Sequence, residues 1–407
     1  MRYTYRCCDC GKEFASDEVV YQCPDCSQHQ DEGTFPKGNL IVELNQEDLD
    51  ALRKKEHVTF YDFFPFPVPD KDCYPVGNTP LAHPRRLAEK LGLPNLTCKL
   101  DTQLLSGSFK DRASQLVAAQ ALHYGTRKIA LASTGNAGAA MSCAGAAYGL
   151  DIILFVPETA PINKLMQSVL YGATVVPVKG TYDDAFALSI AYTKHFGGIN
   201  RNTAYNPMTI EGKKSVSIEL FEQMERNVPD VMYVPVGDGC IFAGVFKGFY
   251  DLKKAGLIDR IPHLVAVQSK QSNAIAKAWR THEMEAIEKA STRADSISVE
   301  NPANGRMAVK YIDESKGWAV EVEDKDILAA QLELTSKAGI FAEPAAACAW
   351  AGLEKDAESL KKKFGADVSV CVLLTGTGFK DMAVFQGRAT IPAAIENSEE
   401  AVIARFS

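Results

Sequence analysis

From about Tyr74 onward, apolar runs of strand length alternate with longer amphipathic segments. The runs are KIALAS (128–133), IILFVP (152–157), TVVPV (174–178), VMYVPVG (231–237), LVAVQ (264–268) and VCVLLTG (370–376). Such alternation predicts an α/β fold built on parallel strands. Several runs end in a Gly-, Ser- or Thr-rich turn that opens a helix. Those turns therefore stand at the carboxyl edge of a sheet, where ligands bind. The upstream pattern differs. DEGTFPKGNL (31–40) is polar and carries Gly and Pro, a helix is predicted over Glu47 to Lys55, and the prolines of YDFFPFPVPD (61–70) forbid regular structure. This stretch reads as a connecting arm. The final IENSEEAVIARFS (395–407) reads as a short helix or tail, and no internal repeat is visible.

Composition narrows the class. With 407 residues, 46% hydrophobic and 23% charged, the chain can bury a large core and form two or three domains. A net charge of −7 lacks the basic excess that nucleic acid or an anionic membrane requires. No apolar run reaches membrane-spanning length, and MRYTYRCCDC is not a secretory signal, so the expected location is cytoplasmic. Among eleven cysteines, only one cluster has useful spacing: Cys7 and Cys10 form one C-x-x-C pair, Cys23 and Cys26 another. Four thiolates on two knuckles converge tetrahedrally on one zinc ion, and because no coordination position stays open the role expected is structural. Cys8, beside the first pair, is a competing ligand. Cys143, Cys348 and Cys371 lie in apolar runs and read as small core residues. The seven histidines include no H-x-x-x-H pair, so a metal hydrolase is unsupported.

Four turns carry candidate chemistry. SGSFKDR (106–112) sets Lys110 just ahead of a helix expected to begin at about Asp111. The positive end of a helix dipole, together with burial behind Phe109, disfavours an ammonium there, and a neutral amine can form a Schiff base. STGN (133–136) opens a helix of small residues whose first amides suit a carboxylate or phosphate, and Asn136 adds a side-chain amide. GDGCI (237–241) superficially resembles a dinucleotide fingerprint, but its third glycine would fall on Phe242, so a cup for a single phosphate is the better reading. TGTGFKD (375–381) brings the Thr375 hydroxyl to the same sheet edge. Each turn alone also fits an ordinary helix cap or strand end. All four in this order do not.

In that order the residues resemble the fold type II pyridoxal-phosphate enzymes, and most closely the threonine synthases. The resemblance spans Pro75 to Asp381 and includes VGNTPL (76–81), SGSFKDR, STGNAGAA, NPMTIEGKKS (206–215), PVGDGC, NPANG (301–305), GIFAEPAAA (339–347) and TGTGFKD. The cysteine segment also resembles the N-terminus of many threonine synthases. The resemblance implies a two-lobed α/β fold with a small zinc ribbon over 1–36. The large cofactor-binding lobe with its arm would take 37–119 and 206–391, the small lobe 120–205, and a tail 392–407. It also implies a homodimer. Lys110 would hold the cofactor and move protons on the substrate, Phe109 would pack near the ring, and Asn136 would bond the ring's phenolic oxygen. Ser133, Thr134, Gly135 and Ala137 would receive the substrate carboxylate. Gly237, Asp238, Gly239, Cys240 and Ile241 would cup the cofactor phosphate, with Asp238 a departure from the more usual Asn-containing loop. Thr375 would face the pyridine nitrogen, where a neutral hydroxyl suits elimination and replacement better than transamination.

The implied reaction converts O-phosphohomoserine and water to threonine and phosphate. Relatives with this segment usually read NP-x-R-x-EGQKT, whereas this chain has Thr209 for the arginine and Lys213 for the glutamine. A planar bidentate clamp is therefore missing, and Arg201, Lys213 or Lys214 is left to supply charge to the substrate side chain. The departure opens a second reading: a β-replacement or β-elimination enzyme acting on phosphoserine, serine or threonine, cysteate-synthase-like or dehydratase-like. A non-catalytic binding protein ranks below both, because the lysine and the anion-binding turns are all retained.

Overall fold

Two parallel sheets carry the chain, and a computed structural model describes residues 1–17, 20–385, 387 and 391–407. In the larger sheet the order is Trp318–Val322, His263–Ser269, Val231–Pro235, Val370–Leu374, Leu96–Leu100 and Leu81–Ala82. Every neighbouring pair is parallel except the last, which is antiparallel. The smaller sheet runs Thr174–Val178, Asp151–Pro157, Lys128–Ala132, Ile199–Asn200, parallel throughout. All six apolar runs read from the sequence form strands. Two further strands of the larger sheet, Leu96–Leu100 and Trp318–Val322, interleave charged or polar residues and lack that signal.

The helix Lys110–His123 packs against both Asn136–Tyr148 and Met208–Lys213, so it ties the two sheets' layers together. It starts one residue earlier than expected, on Lys110 itself. A buried polar network anchors it. Arg112 donates to Asp101 at 2.5 Å and to Glu219 at 2.9 Å, and Thr79 donates to both carboxylates at 2.8 and 2.9 Å through its hydroxyl and its amide. Lys99 bonds Glu219 from the neighbouring strand. Burial pushes Glu219 up, yet Arg112 and Lys99 outweigh it and hold this carboxyl at about 2. Through this network the motifs VGNTPL and SFKDR become parts of one support for Lys110.

The N-terminal region departs from the arm expected of it. Tyr3–Cys7 is the middle strand of an antiparallel sheet, between Glu13–Phe14 and Leu40–Leu44. Leu40–Leu44, read in the sequence as the end of a polar connector, is thus a partner of the cysteine segment. The arm's helix runs Gln46–Leu52, shorter than predicted, and the Asn45 side chain caps it by accepting from the amides of Glu47 and Asp48. Phe60–Phe63 forms a 3-10 turn at the start of the proline-rich stretch, which begins one residue too late to prevent it. Near the C-terminus the helix Glu399–Phe406 forms as expected. Among the described residues no helix is long and apolar enough to cross a membrane.

Candidate functional site

Three backbone ties bring the lysine turn and the Thr375 turn into one structure. Phe109 N donates to Thr375 O at 2.7 Å, Thr377 N donates to Gly107 O at 3.0 Å, and Ser108 pairs with Gly376 across an isolated bridge. Phe109 is fully buried. Burial lowers the Lys110 ammonium, Glu343 opposes that, and the Arg201 cation adds to it. The amine is therefore nearer neutrality than a surface lysine, which is the state a carbonyl compound requires.

At the STGN turn, Ser133 Oγ accepts from the amides of Gly135 (3.3 Å) and Gly138 (3.0 Å), so the hydroxyl caps its own helix. The amides of Thr134, Asn136 and Ala137 belong to the same helix start, where no intrahelical acceptor is in reach. Asn136 Nδ2 reaches across to Glu343, at 3.2 and 3.1 Å from its two carboxylate oxygens, and to Ser296 Oγ at 3.4 Å. Burial raises the Glu343 carboxyl, with Asn136 and Lys110 opposing. Glu343 also docks on the Thr375 turn, its amide donating to Gly376 O at 2.9 Å. The lysine, STGN and Thr375 turns are thus joined, the last two through Glu343.

The GDGCI turn leads the strand Val231–Pro235 into a helix, the position from which a phosphate cup was expected. Gly239 sits at φ +86°, and a Cβ there would lie 2.8 Å from Asn304 O, so this position demands glycine on both counts. It opens the helix Cys240–Lys254, whose first amides have no intrahelical acceptor and no side-chain cap. Asp238 bonds the NPANG segment twice: Oδ1 accepts from Ala303 N at 3.2 Å, and its carbonyl accepts from Asn304 N at 3.0 Å. The acid thereby anchors the NPANG segment beneath the cup.

Of the residues offered for a substrate side chain, Thr209 is spoken for, since its hydroxyl donates to Asn206 O at 2.8 Å. Lys214 is too, bonding Glu211, Asp251 (2.8 Å) and Phe63 O (2.9 Å). Lys213 is not. It is fully buried with its ammonium unpartnered, and burial pushes it down to about 7. Glu343, Ser296 and Tyr182, whose hydroxyl donates to Ala132 O at 3.2 Å beside the carboxylate turn, were not singled out by sequence reasoning. Glu343 lay inside a quoted motif, which was the one available signal.

The cysteine cluster closes as its spacing implied. The four Sγ atoms of Cys7, Cys10, Cys23 and Cys26 lie within 4.8 Å of one another, with 3.8 Å between Cys7 and Cys26 and between Cys10 and Cys23. This set can chelate a metal ion, and Cys8 stands outside it.

Residues 73–376 match the family of pyridoxal-phosphate dependent enzymes. The chain is 31% identical to a threonine synthase of Methanosarcina acetivorans over 99% of both chains. It is 36% identical to one from Halalkalibacterium halodurans over 80% of this chain and 90% of that one. Among solved structures, a fungal L-serine ammonia-lyase from Rhizomucor miehei superposes with a TM-score of 0.66 at 21% identity, covering 76% of this chain and 97% of the other. A threonine deaminase from Solanum lycopersicum gives 0.67 at 18%, over 88% and 97%. These structural likenesses concern the fold.

Proposed function

The chain belongs to the pyridoxal-phosphate dependent enzymes, and from that premise we propose that it is a threonine synthase, converting O-phospho-L-homoserine and water to L-threonine and phosphate. The observation that carries the substrate is the end-to-end match to threonine synthases, with the site's four turns and Lys110 all in place. The β-replacement or β-elimination reading rests on Thr209 standing where relatives carry an arginine, and the ammonia-lyase and deaminase structures, below 25% identity, speak for architecture only and add nothing to it. A non-catalytic protein would have no use for the retained lysine.

The residues present fit the cofactor: a cup of helix amides for its phosphate, a lysine of lowered ammonium stability, and a buried hydroxyl residue at Thr375. When bound, pyridoxal phosphate supplies an electron sink for charge developed beside the substrate's amino group. Lys110 holds the cofactor and then takes and returns protons at the substrate carbons, a role suited to an amine shielded from water. The amides of Thr134, Gly135 and Ala137, in a turn shaped by the Ser133 hydroxyl, receive the carboxylate. Asn136 would bond the ring oxygen, Phe109 would pack near the ring, and Gly237, Asp238, Gly239, Cys240 and Ile241 would frame the phosphate. Thr375 would offer the ring nitrogen a neutral hydroxyl, which suits elimination and replacement. Incubating the cofactor-loaded protein with O-phosphohomoserine and, separately, with phosphoserine tests the reading. Threonine and phosphate from the first are expected; turnover of phosphoserine alone would replace this reading with β-replacement.

The same proposal places zinc on the four cysteines, because a tetrahedral zinc with Zn–S bonds of about 2.3 Å sets sulfurs about 3.8 Å apart, the separation found for two of the pairs. It also takes the enzyme to be a cytoplasmic homodimer with the small lobe at 120–205, the large lobe at 37–119 and 206–391, a ribbon over 1–36 and a tail over 392–407.

A further inference from the structure

Among the described residues, two buried cations are left without a bonded anion. Arg201 and Lys213 have no solvent exposure. Arg201 Nη1 donates to Thr203 Oγ1 at 2.7 Å, while its Nε and Nη2, and the Nζ of Lys213, have no partner. The fold does not treat its other buried cations this way. Lys99, Arg112, Lys214 and Lys247 each bond a buried carboxylate. An unpaired buried charge is strongly destabilising, and here two of like sign oppose each other, Arg201 helping to push Lys213 toward neutrality.

Their placement says what they await. Arg201 extends the strand Ile199–Asn200 along the smaller sheet: its amide donates to Ala130 O at 2.8 Å, and the Asn202 side chain accepts from Ala132 N at 2.7 Å. It therefore stands beside the Ser133 turn. Lys213 ends the helix Met208–Lys213 on the other side of the cleft, pressed so tightly on the helix Cys240–Lys254 that a Cβ on Gly244 would overlap its own. Lys110, Cys240 and Asp238 are its electrostatic neighbours. The cofactor phosphate already has the amide cup of the larger lobe, whereas Arg201 approaches from the lobe that takes the substrate carboxylate.

We propose that Arg201 and Lys213 form the receptor for the phosphate group of the substrate, gripping it from opposite sides of the cleft in place of the single arginine clamp that Thr209 removes. The assignment rests on the threonine synthase reading. A phosphate dianion neutralises both cations at once, and the same pair stabilises the charge that the departing phosphate carries. Serine or threonine, having no anionic side chain, would leave both cations unpaired.

The test uses the cofactor-loaded protein and two unreactive ligands followed by the visible spectrum of the cofactor. One is the phosphonate isostere of O-phosphohomoserine, in which a methylene replaces the ester oxygen; the other is norvaline, which lacks the phosphonate. Wild type is expected to prefer the isostere. Arg201→Gln and Lys213→Gln should each weaken the isostere by about 10-fold or more, leaving norvaline and cofactor affinity unchanged. Equal losses for both ligands, or a loss of cofactor affinity with the isostere unaffected, would assign the cations to the carboxylate or the cofactor and overturn the proposal. A wild type that binds both ligands alike would overturn the threonine synthase reading together with it. Thermal melting of the ligand-free, cofactor-free variants gives an independent check. Removing an unpaired buried charge should leave the melting temperature equal or higher, and a clear drop in both would show a structural role instead.

Discussion

At the scale of the residue, burial acts on two lysines with different consequences. In the proposed function Lys110 anchors the cofactor, and Lys110→Ala should yield a folded protein from which desalting strips all visible absorbance. Retention of the colour would remove Lys110 from its role. Lys213 is held at about 7 against an ordinary 10.5, by burial first and by the Arg201 and Lys110 cations, with Cys240 and Asp238 opposing. Between those values the unfolded chain binds the proton that the folded chain has lost, so stability of the cofactor-free protein rises with pH through the window. Denaturant titrations at about pH 7 and about pH 9.5 should show that gain in wild type and a smaller one in Lys213→Met; equal gains would contradict the assignment. Asn136 and Thr375 stood out because each ends or follows an apolar run in a recognisable turn, and Lys110 because its turn opens a helix. Glu343 was not, because its partner Asn136 lies 207 residues away and only the folded cleft joins them. The orphaned state of Arg201 was equally invisible, since a missing partner has no local signature.

Elements are positioned by contacts that apolar patterning does not encode. The strand Leu96–Leu100 carries Lys99 into the interior because Glu219 and Gln223 await it, so its sequence looks too polar for a central strand. The three-stranded N-terminal sheet escaped notice for a similar reason: Leu40–Leu44 reads as a short continuation of a polar loop until Tyr3–Cys7 is beside it. The turns, by contrast, follow from local chemistry. Gly239→Ala forces a Cβ into a left-handed backbone position and against Asn304 O, and should cost about 1–3 kcal/mol of stability along with cofactor affinity. Denaturant unfolding and a cofactor titration measure the two; a neutral outcome in both would contradict the cup. Arg112→Leu strands Asp101 and Glu219 without their shared cation, and a loss of about 3–5 kcal/mol is expected from breaking a buried pair on one side.

For the whole molecule, the N-terminal cysteine cluster is not an appendage. Cys8 N and Cys23 N donate to Asn39 O and Gly38 O at 3.0 and 2.8 Å, and the Asn39 side chain donates at 2.6 Å to Ala303 O, whose own amide bonds Asp238. Metal analysis of the protein should find about one zinc per chain, and stripping it under denaturing chelation should lower the melting temperature. Protein without metal that melts unchanged would contradict a structural zinc. Across the cleft, Lys164 pairs with Asp295 at 2.9 Å and Gln167 donates to Ser106 O at 3.1 Å, contacts that join the smaller-sheet side to the larger. The two-lobed plan was readable from the order of runs and turns, whereas which charges face which across the cleft was not.

The most direct measurement is to run the reaction with O-phosphohomoserine in oxygen-18 water and weigh both products. Loss of phosphate from the γ-carbon breaks the carbon–oxygen bond, and water from solvent then supplies the hydroxyl at the β-carbon. The label is therefore expected in threonine, with the phosphate released unlabelled. Homoserine together with labelled phosphate would show simple cleavage of the phosphorus–oxygen bond and contradict the account.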